Sequence, residues 1–84
     1  MHETISVIIT CYNYGHFLSD AIKSILNQSY NNKEIIVVDD GSTDNTKEVA
    51  QSFADVVYVY QHHQGLSAAR NKGLSVSTGN FLVF

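Results

Sequence analysis

A chain of 84 residues is long enough for one domain at most, and such a domain buries roughly 60–65% of the surface of its unfolded chain. With 44% hydrophobic and 15% charged residues the composition is that of a globular protein, and no apolar run approaches the ~18 residues of a membrane span. The formal net charge of −3, with scattered Lys and Arg, argues against a nucleic-acid partner, which favours a basic face.

The start of the chain and its cysteine content indicate a compartment. Residues 1–4 lack the basic start of a secretory signal peptide, and the apolar run at 5–9 is too short for one. A single cysteine, Cys11, excludes an internal disulfide and fits a reducing compartment. We therefore expect a cytoplasmic protein, with a peripheral membrane location of a longer parent protein as the alternative.

The first part of the chain predicts a strand and an amphipathic helix. Residues 5–9 are a β-branched and nearly all apolar run, which is typical of a parallel strand covered on both faces. After a loop at 12–15, a helix is predicted over 16–28 because apolar residues recur at helical spacing. The recurring residues are Phe17, Leu18, Ala21, Ile22, Ile25 and Leu26. We expect the apolar stripe formed by Phe17, Ile22, Ile25 and Leu26 to be core.

The rest of the chain continues this alternation. Residues 34–38 predict a second buried strand, followed at 39–45 by turn and N-cap residues, among which Asp44 and Asn45 are expected to cap the next helix. That short helix precedes a third strand at 56–60, in which Tyr58 and Tyr60 are expected to pack. A third helix is predicted over 65–77, and a fourth strand begins at 81. The inward-facing residues expected in the third helix are Leu66, Ala69, Gly73 and Val76.

Strands that alternate with helices predict βαβ units with right-handed crossovers. The predicted fold class is therefore α/β: a Rossmann-like, mostly parallel sheet of about four strands with helices on both faces.

Polar residues cluster where the predicted strands end. They lie at 10–13, 39–42 and 62–65, with Arg70 one turn into the third helix. In open α/β sheets ligands bind at the carboxyl ends of strands, beside the point where the strand order reverses. The clusters supply an aromatic ring to stack on a base, carboxylates for N–H and O–H groups, and an Arg for phosphate. The pattern predicts a nucleotide site.

The chain carries no glycine-rich phosphate loop. Neither G-x-G-x-x-G nor G-x-x-x-x-G-K-[ST] occurs, which disfavours a dinucleotide-binding domain and a P-loop NTPase. If a diphosphate binds here, a divalent metal is the simplest partner to neutralise it.

Five motifs in order resemble family 2 glycosyltransferases of GT-A fold. They lie at 5–13, 28–30, 34–44, 65–73 and 78–84, and they cover essentially the whole chain. The combination of V-D-D-G-S-T-D with a downstream A-R-N-x-G is specific. The resemblance implies an inverting enzyme that transfers a sugar from a nucleotide diphosphate sugar, with a UDP-sugar expected, to an acceptor hydroxyl in glycan or cell-surface polysaccharide synthesis.

The resemblance also implies roles for individual residues. Tyr12 resembles the aromatic residue that stacks on a uracil-type base, and Thr10 the strand-end residue beside it. Asp40 resembles the carboxylate that reads the base N–H, and Arg70 the basic residue that lines the nucleotide pocket. Asp39 either holds the loop or reaches the ribose. Many relatives have Pro-Thr before Tyr-Asn where this chain has Thr10-Cys11, a change that should not abolish base binding.

Catalysis in the family needs residues that we expect to follow this chain. The resemblance implies Mg²⁺ or Mn²⁺ held by an Asp-x-Asp-type motif after the last strand, and a later carboxylate that acts as base on the acceptor. Because the chain ends at Phe84, we expect 1–84 to be a single truncated nucleotide-sugar-binding domain that neither holds the metal nor catalyses transfer. A glycan or lipid-linked acceptor would bind the parent protein. The exposed strand at 81–84 is expected to favour self-association.

Several other interpretations stay open. The chain could be a non-catalytic nucleotide-binding module, and a receiver-like domain is a weaker alternative. Asp39 and Asp40 could simply cap the turn, Tyr12 could be a packed loop residue, and Arg70 could form a surface salt bridge.

Two reactive groups are disfavoured as sites. His62 and His63 are neighbours on an extended segment and point opposite ways, which makes a poor metal chelate. Cys11 has no partnered base in the sequence to activate it as a nucleophile.

Overall fold

Strands and helices alternate through the part of the chain that the computed structural model describes, residues 4–30 and 32–83. This confirms the predicted alternation, although Phe84, part of the expected last strand, lies outside the described residues. No helix in these ranges is long and apolar enough to cross a bilayer. The elements are β1 (Ile5–Cys11), α1 (Gly15–Leu26), β2 (Lys33–Asp40), α2 (Thr46–Gln51), β3 (Val56–Gln61), α3 (Leu66–Val76) and β4 (Asn80–Val83).

The strands form one parallel sheet in the order β3-β2-β1-β4. In the register, Ile8 of β1 pairs with Ile36 of β2 on one side and with Val83 of β4 on the other. The chain first builds outward from β1 through β2 to β3, and α3 then returns it to the opposite side of β1. The strand order therefore reverses at β1, which places the expected ligand crevice at the carboxyl end of that strand.

Alternating strand residues build a core on each face of the sheet. The larger core lies under α1 and α2, and it contains Val7, Ile9, Cys11, Leu18, Ile22, Ile25, Ile35, Val37 and Ala50. The smaller core lies under α3, and it contains Ile8, Ile36, Val38 and Ala69. Helices thus cover both faces, as predicted from the continuous apolar runs of β1 and β2.

The prediction that the whole apolar stripe of α1 is core was wrong at two positions. Leu18, Ile22 and Ile25 are buried, whereas Phe17 is 60% exposed and Leu26 is also exposed. Successive residues turn about 100° around a helix, so the neighbours of a buried residue lie beside the contact with the sheet rather than in it.

The inward face of α3 is narrower than predicted. Ala69 and Gly73 are buried, but Leu66 is 54% exposed and Val76 is also exposed. A Cβ on Gly73 would lie 2.5 Å from Ile8 Cγ2, which shows that the helix lies very close to the sheet there. The helix approaches the sheet closely where it carries small residues, and the larger side chains near both ends of the helix lie outside the contact.

The two tyrosines of β3 also differ. Tyr58 packs against the larger core as predicted, whereas Tyr60 is 51% exposed and its predicted packing role was wrong. Since β3 is an edge strand and α2 is short, about half of the surface of Tyr60 stays exposed.

Candidate functional site

A groove of about 220 Å³ opens at the carboxyl ends of β1 and β2, beside the first turn of α3. The residues that line this strand-end groove are Thr10, Cys11, Tyr12, Asp40, His63, Gly65, Leu66 and Ala69. Thr10, Tyr12 and Asp40 of the predicted nucleotide site therefore lie together. Asp39 and Arg70, the other predicted residues, do not line the groove.

Tyr12 presents its ring in the strand-end groove with 50% of the residue's surface exposed. The ring contacts that of His63, with 4.5 Å between the centroids and 45° between the planes. Asn13 follows with a φ of 51°, a left-handed conformation that Asn adopts more readily than most residues. Asn13 N donates to Ser42 Oγ (2.7 Å), and Thr43 N donates to Asn13 Oδ1 (2.8 Å). The loop after β2 thus fixes the turn that follows Tyr12.

The Asp40 carboxylate is buried and surrounded by donors. Its Oδ1 accepts hydrogen bonds from Gln61 Nε2 (2.8 Å) and Gln64 N (2.8 Å). Its Oδ2 accepts one from Gly65 N (3.0 Å) and lies 3.1 Å from His63 Nδ1. Burial acts to raise the pKa of Asp40, but these hydrogen bonds and the neighbouring imidazole outweigh burial and hold the pKa below its usual value. Asp40 is therefore ionised at neutral pH, and it orders the segment between β3 and α3.

Two glycines allow the backbone conformations of the loops around the groove. Gly41 has a φ of 85°, and a Cβ there would lie 2.8 Å from His63 N. Gly65 has a φ of 99° and a ψ of 169°, a region of backbone space that is essentially restricted to glycine. Both turns of the groove therefore require glycine.

Asp39 lies on the opposite face of the sheet from Asp40, because neighbouring strand residues point to opposite faces. Only 1% of Asp39 is exposed. Its Oδ1 accepts a hydrogen bond from Ser42 N (2.8 Å), and its Oδ2 accepts one from the Tyr58 hydroxyl (2.6 Å). Burial and this carboxylate both raise the pKa of Tyr58, which keeps the phenol protonated as a donor. The geometry supports the loop-holding alternative for Asp39 rather than contact with a ribose.

A further network, which the sequence reasoning missed, joins the loop before α1 to the start of α2. Gly15 N donates to Asp44 Oδ2 (3.1 Å), and Tyr14 N donates to Thr46 Oγ1 (3.1 Å). Asp44 Oδ1 accepts from Thr46 N (3.0 Å) two residues along the chain. The N-cap residue of α2 is Asn45, as predicted, but no side chain of the described residues makes a cap hydrogen bond, so the prediction that Asp44 caps the helix was wrong. The density of Asp, Ser and Thr at 39–46 is the signal that could have revealed the network, since these side chains readily bond to nearby backbone.

Arg70 is exposed and lies one turn after Leu66, so the two residues share a face of α3. The groove itself is lined by Leu66 and Ala69 rather than by Arg70. In the described part of the chain Arg70 forms no salt bridge, which disfavours the surface salt-bridge alternative.

The Cys11 thiol lies in the wall of the groove but is poorly suited to nucleophilic chemistry. The residue is buried, and Sγ donates to the Val38 carbonyl at 3.7 Å. Burial raises the pKa of Cys11 to about 12, and the charges of Asp39 and Asp44 add to this effect. The thiol is therefore protonated at neutral pH.

The described residues do not fit a divalent metal. Within 4–30 and 32–83, no three His, Cys, Asp or Glu side chains come close enough to hold an ion. The acceptor positions of Asp40 already face four donors, and the His62 ring contacts Tyr60 instead of His63, with 6.1 Å between centroids.

His63 is the groove residue that the sequence reasoning left unassigned. It belongs to the polar set after β3, but its contacts with both Tyr12 and Asp40 depend on the tertiary structure. A sequence pattern alone gives no signal for them.

Known proteins share this sequence and arrangement. Residues 6–84 match the family model described as glycosyl transferase family 2. The chain is 42% identical over 86 residues to glycosyltransferase GlyA of Streptococcus pneumoniae, a match that covers 98% of this chain and 12% of that protein. The chain thus spans a small part of this relative.

Two solved structures illustrate the likeness in fold. Mannosyltransferase PcManGT from Pyrobaculum calidifontis, in complex with GDP-Man and Mn²⁺, has a TM-score of 0.82 and 27% identity over 94% of this chain and 26% of its own. Glucosyl-3-phosphoglycerate synthase from Mycobacterium tuberculosis, in complex with UDP, has a TM-score of 0.74 and 25% identity over 92% of this chain and 31% of its own. These likenesses confirm the predicted fold class, the Rossmann-like nucleotide-binding half of the GT-A fold.

Proposed function

The chain belongs to glycosyl transferase family 2, and from this premise we propose that it is the donor-binding part of an enzyme that transfers a sugar, with inversion, from a nucleotide diphosphate sugar to an acceptor hydroxyl. The observation that carries the proposal is the strand-end groove, where Thr10, Tyr12 and Asp40 converge at the point of strand reversal. Ligands of open α/β sheets bind at such points.

The size of the groove limits what it holds. Ligand pockets for whole small molecules measure about 300–1,000 Å³. At about 220 Å³ the strand-end groove is smaller, so it takes the base and part of the ribose rather than a complete nucleotide sugar. The diphosphate and the sugar then extend out of the groove, and Arg70, one turn after Leu66 on α3, is the cation proposed to meet them.

Two residues recognise the base in this proposal. Tyr12 offers a half-exposed ring on which a base stacks, an interaction that every base can make. Asp40 is an ionised acceptor in the groove wall and selects a base that presents an N–H, as uracil does. Uracil, thymine and guanine all meet this requirement. The relative crystallised with UDP supports a uridine nucleotide as the proposed donor, and the relative solved in complex with GDP-Man makes a guanosine nucleotide the competitor to test.

The metal and the catalytic base are proposed to belong to other parts of the enzyme. The PcManGT structure is a complex with Mn²⁺, which supports Mg²⁺ or Mn²⁺ as the cofactor of the whole protein. The described residues of this chain form no such site. The acceptor, a glycan or a lipid-linked saccharide, and the cytoplasmic location also stay predictions.

Calorimetric titration of the chain with UDP, GDP and TDP, with and without Mn²⁺, tests the proposal. We expect weak binding that is tightest for UDP and depends little on Mn²⁺. Tighter binding of GDP or TDP than of UDP would contradict the choice of a uridine nucleotide, and absence of binding would contradict the nucleotide site itself.

We also propose that the chain self-associates through β4. This strand pairs with β1 on one side and lies at the edge of the described sheet. An edge strand presents unpaired N–H and C=O groups to other chains. Light scattering over a range of concentrations tests this, and a monomer at the highest concentration would contradict it.

A further inference from the structure

We propose that His63 is a positioning residue of the nucleotide site. Its ring supports the Tyr12 ring as a stacking platform, and its N–H leaves one oxygen of Asp40 free to accept a hydrogen bond from the base. The inference rests on the proposed function and deepens it, because it assigns a role to a residue that contacts both base-recognising side chains.

The ring contact decides which face of Tyr12 is available. The centroids of Tyr12 and His63 are 4.5 Å apart, whereas a base inserted between two rings needs about 7 Å, two layers at the usual contact distance. A base therefore stacks on the face of Tyr12 opposite to His63. In this arrangement the imidazole packs behind the Tyr12 ring and restricts the rotation of the Tyr12 side chain, which is otherwise half exposed.

The imidazole is itself held by Asp40. His63 Nδ1 lies 3.1 Å from the Asp40 main-chain oxygen and also 3.1 Å from Asp40 Oδ2. One N–H serves both acceptors, so it can bond to the main-chain oxygen alone while the ring stays where it is. This matters because a carboxylate has about four acceptor positions and those of Asp40 already face Gln61, Gln64, Gly65 and His63. His63 is thus the donor that a base N–H can replace at the Asp40 carboxylate.

The backbone holds His63 in place as well. The Gly41 turn approaches so closely that a Cβ there would lie 2.8 Å from His63 N. The neighbouring His62 differs in every respect that matters here, since its ring contacts Tyr60 and it does not line the groove. His62→Ala is therefore a matched control that removes an exposed imidazole next to the site without touching the proposed contacts.

Four variants separate the ring contact from the hydrogen bond. UDP affinity is measured by calorimetry for His63→Ala, His63→Asn, His63→Phe and His62→Ala. We expect His63→Ala and His63→Asn to bind UDP about 3- to 10-fold more weakly, the worth of one aromatic pair. His63→Phe keeps a ring beside Tyr12 and should restore most of the lost affinity, and His62→Ala should bind as the unaltered chain does.

A double variant tests whether His63 acts through Tyr12. If it does, His63→Ala causes little further loss in a Tyr12→Ala background. Urea unfolding of each variant, compared with His62→Ala, shows whether a loss of affinity reflects a loss of folding. If His63→Ala is destabilised, the comparison of His63→Phe with His63→Asn decides the question.

The outcomes distinguish the inference from the function it rests on. UDP binding that is lost in Tyr12→Ala but retained in His63→Ala overturns the role of His63 alone. Full affinity in His63→Asn with weak binding in His63→Phe overturns it too, because the hydrogen bond would then be the whole contribution. Absence of UDP binding by the unaltered chain overturns both proposals.

Discussion

The Tyr58 hydroxyl donates a hydrogen bond to Asp39 Oδ2 across 2.6 Å, on the face of the sheet opposite to the strand-end groove. The other oxygen of Asp39 accepts from Ser42 N at 2.8 Å. The two adjacent aspartates therefore have different roles. Asp39 anchors the loop after β2 from the α2 side, and Asp40 stays in the groove.

Removing the Tyr58 hydroxyl should destabilise the fold. Tyr58→Phe leaves a buried carboxylate oxygen without its donor, and a hydrogen bond to a charged group contributes about 1.5–3 kcal/mol. Tyr60→Phe is the matched control, because Tyr60 lies two residues on in the same strand and is exposed. Urea unfolding measures the free energy of unfolding of both variants. Equal stability of the two would show that the Tyr58 bond contributes nothing.

The close contact between α3 and β1 should not tolerate a methyl group. Gly73→Ala places a Cβ 2.5 Å from Ile8 Cγ2 in the smaller core, and overpacking of this kind costs about 1–3 kcal/mol. Alanine is otherwise the better helix former, so a net loss isolates the clash. Asn71→Ala, at an exposed position of the same helix, should not destabilise. A gain in unfolding free energy for Gly73→Ala would show that the helix can shift away from the sheet.

Acid should weaken the fold partly through Glu34. Hydrogen bonds from Ser6 Oγ and from Thr78 N (2.7 Å) hold the pKa of Glu34 below its usual value. Its contribution to stability is therefore fully present above the unfolded pKa of about 4.3 and is lost as the pH falls through the lower folded pKa. We expect the stability difference between the unaltered chain and Glu34→Gln, from urea unfolding, to shrink from about pH 6 to about pH 3.

The matched control for that series is Asp55→Asn. Asp55 is exposed and accepts no hydrogen bond from the part of the chain that the structure describes. A Glu34→Gln difference that is constant with pH would contradict the assigned role of Glu34.

Cys11 should resist alkylation in the folded chain. Burial raises the pKa of its thiol to about 12, and only the thiolate reacts. At neutral pH we expect iodoacetamide to modify the folded chain at least about 100-fold more slowly than the same chain in urea. Mass spectrometry follows the reaction, and similar rates in the two states would contradict a closed groove wall.

The sequence predicted the fold because its signals are local. Continuous apolar runs in β1 and β2 require cover on both faces, and the helical spacing of Leu18, Ile22 and Ile25 requires a helix against one of them. Where the prediction was wrong, at Phe17 and Leu66 for instance, the width of the helix–sheet contact decided the outcome. That width depends on packing distance, which spacing along the chain does not encode.

The site was only partly predictable for a similar reason. The carboxyl ends of parallel strands meet at one edge, which placed Thr10, Tyr12 and Asp40 together. The bond from Tyr58 to Asp39, the contact of His63 with Tyr12, and the bond from Gly15 to Asp44 all join residues far apart in the chain. Such pairs follow from how the loops pack, and the residue types alone do not determine them.

The most direct test of the account is the UDP affinity of Tyr12→Ala compared with that of Phe17→Ala. Both variants remove an exposed ring, but Tyr12 lines the strand-end groove and Phe17 does not. Stacking of one base contributes about 1–3 kcal/mol, so Tyr12→Ala should bind UDP at least about fivefold more weakly than the unaltered chain, with Phe17→Ala unchanged. Equal UDP affinity in the unaltered chain and both variants would contradict a nucleotide site in this groove.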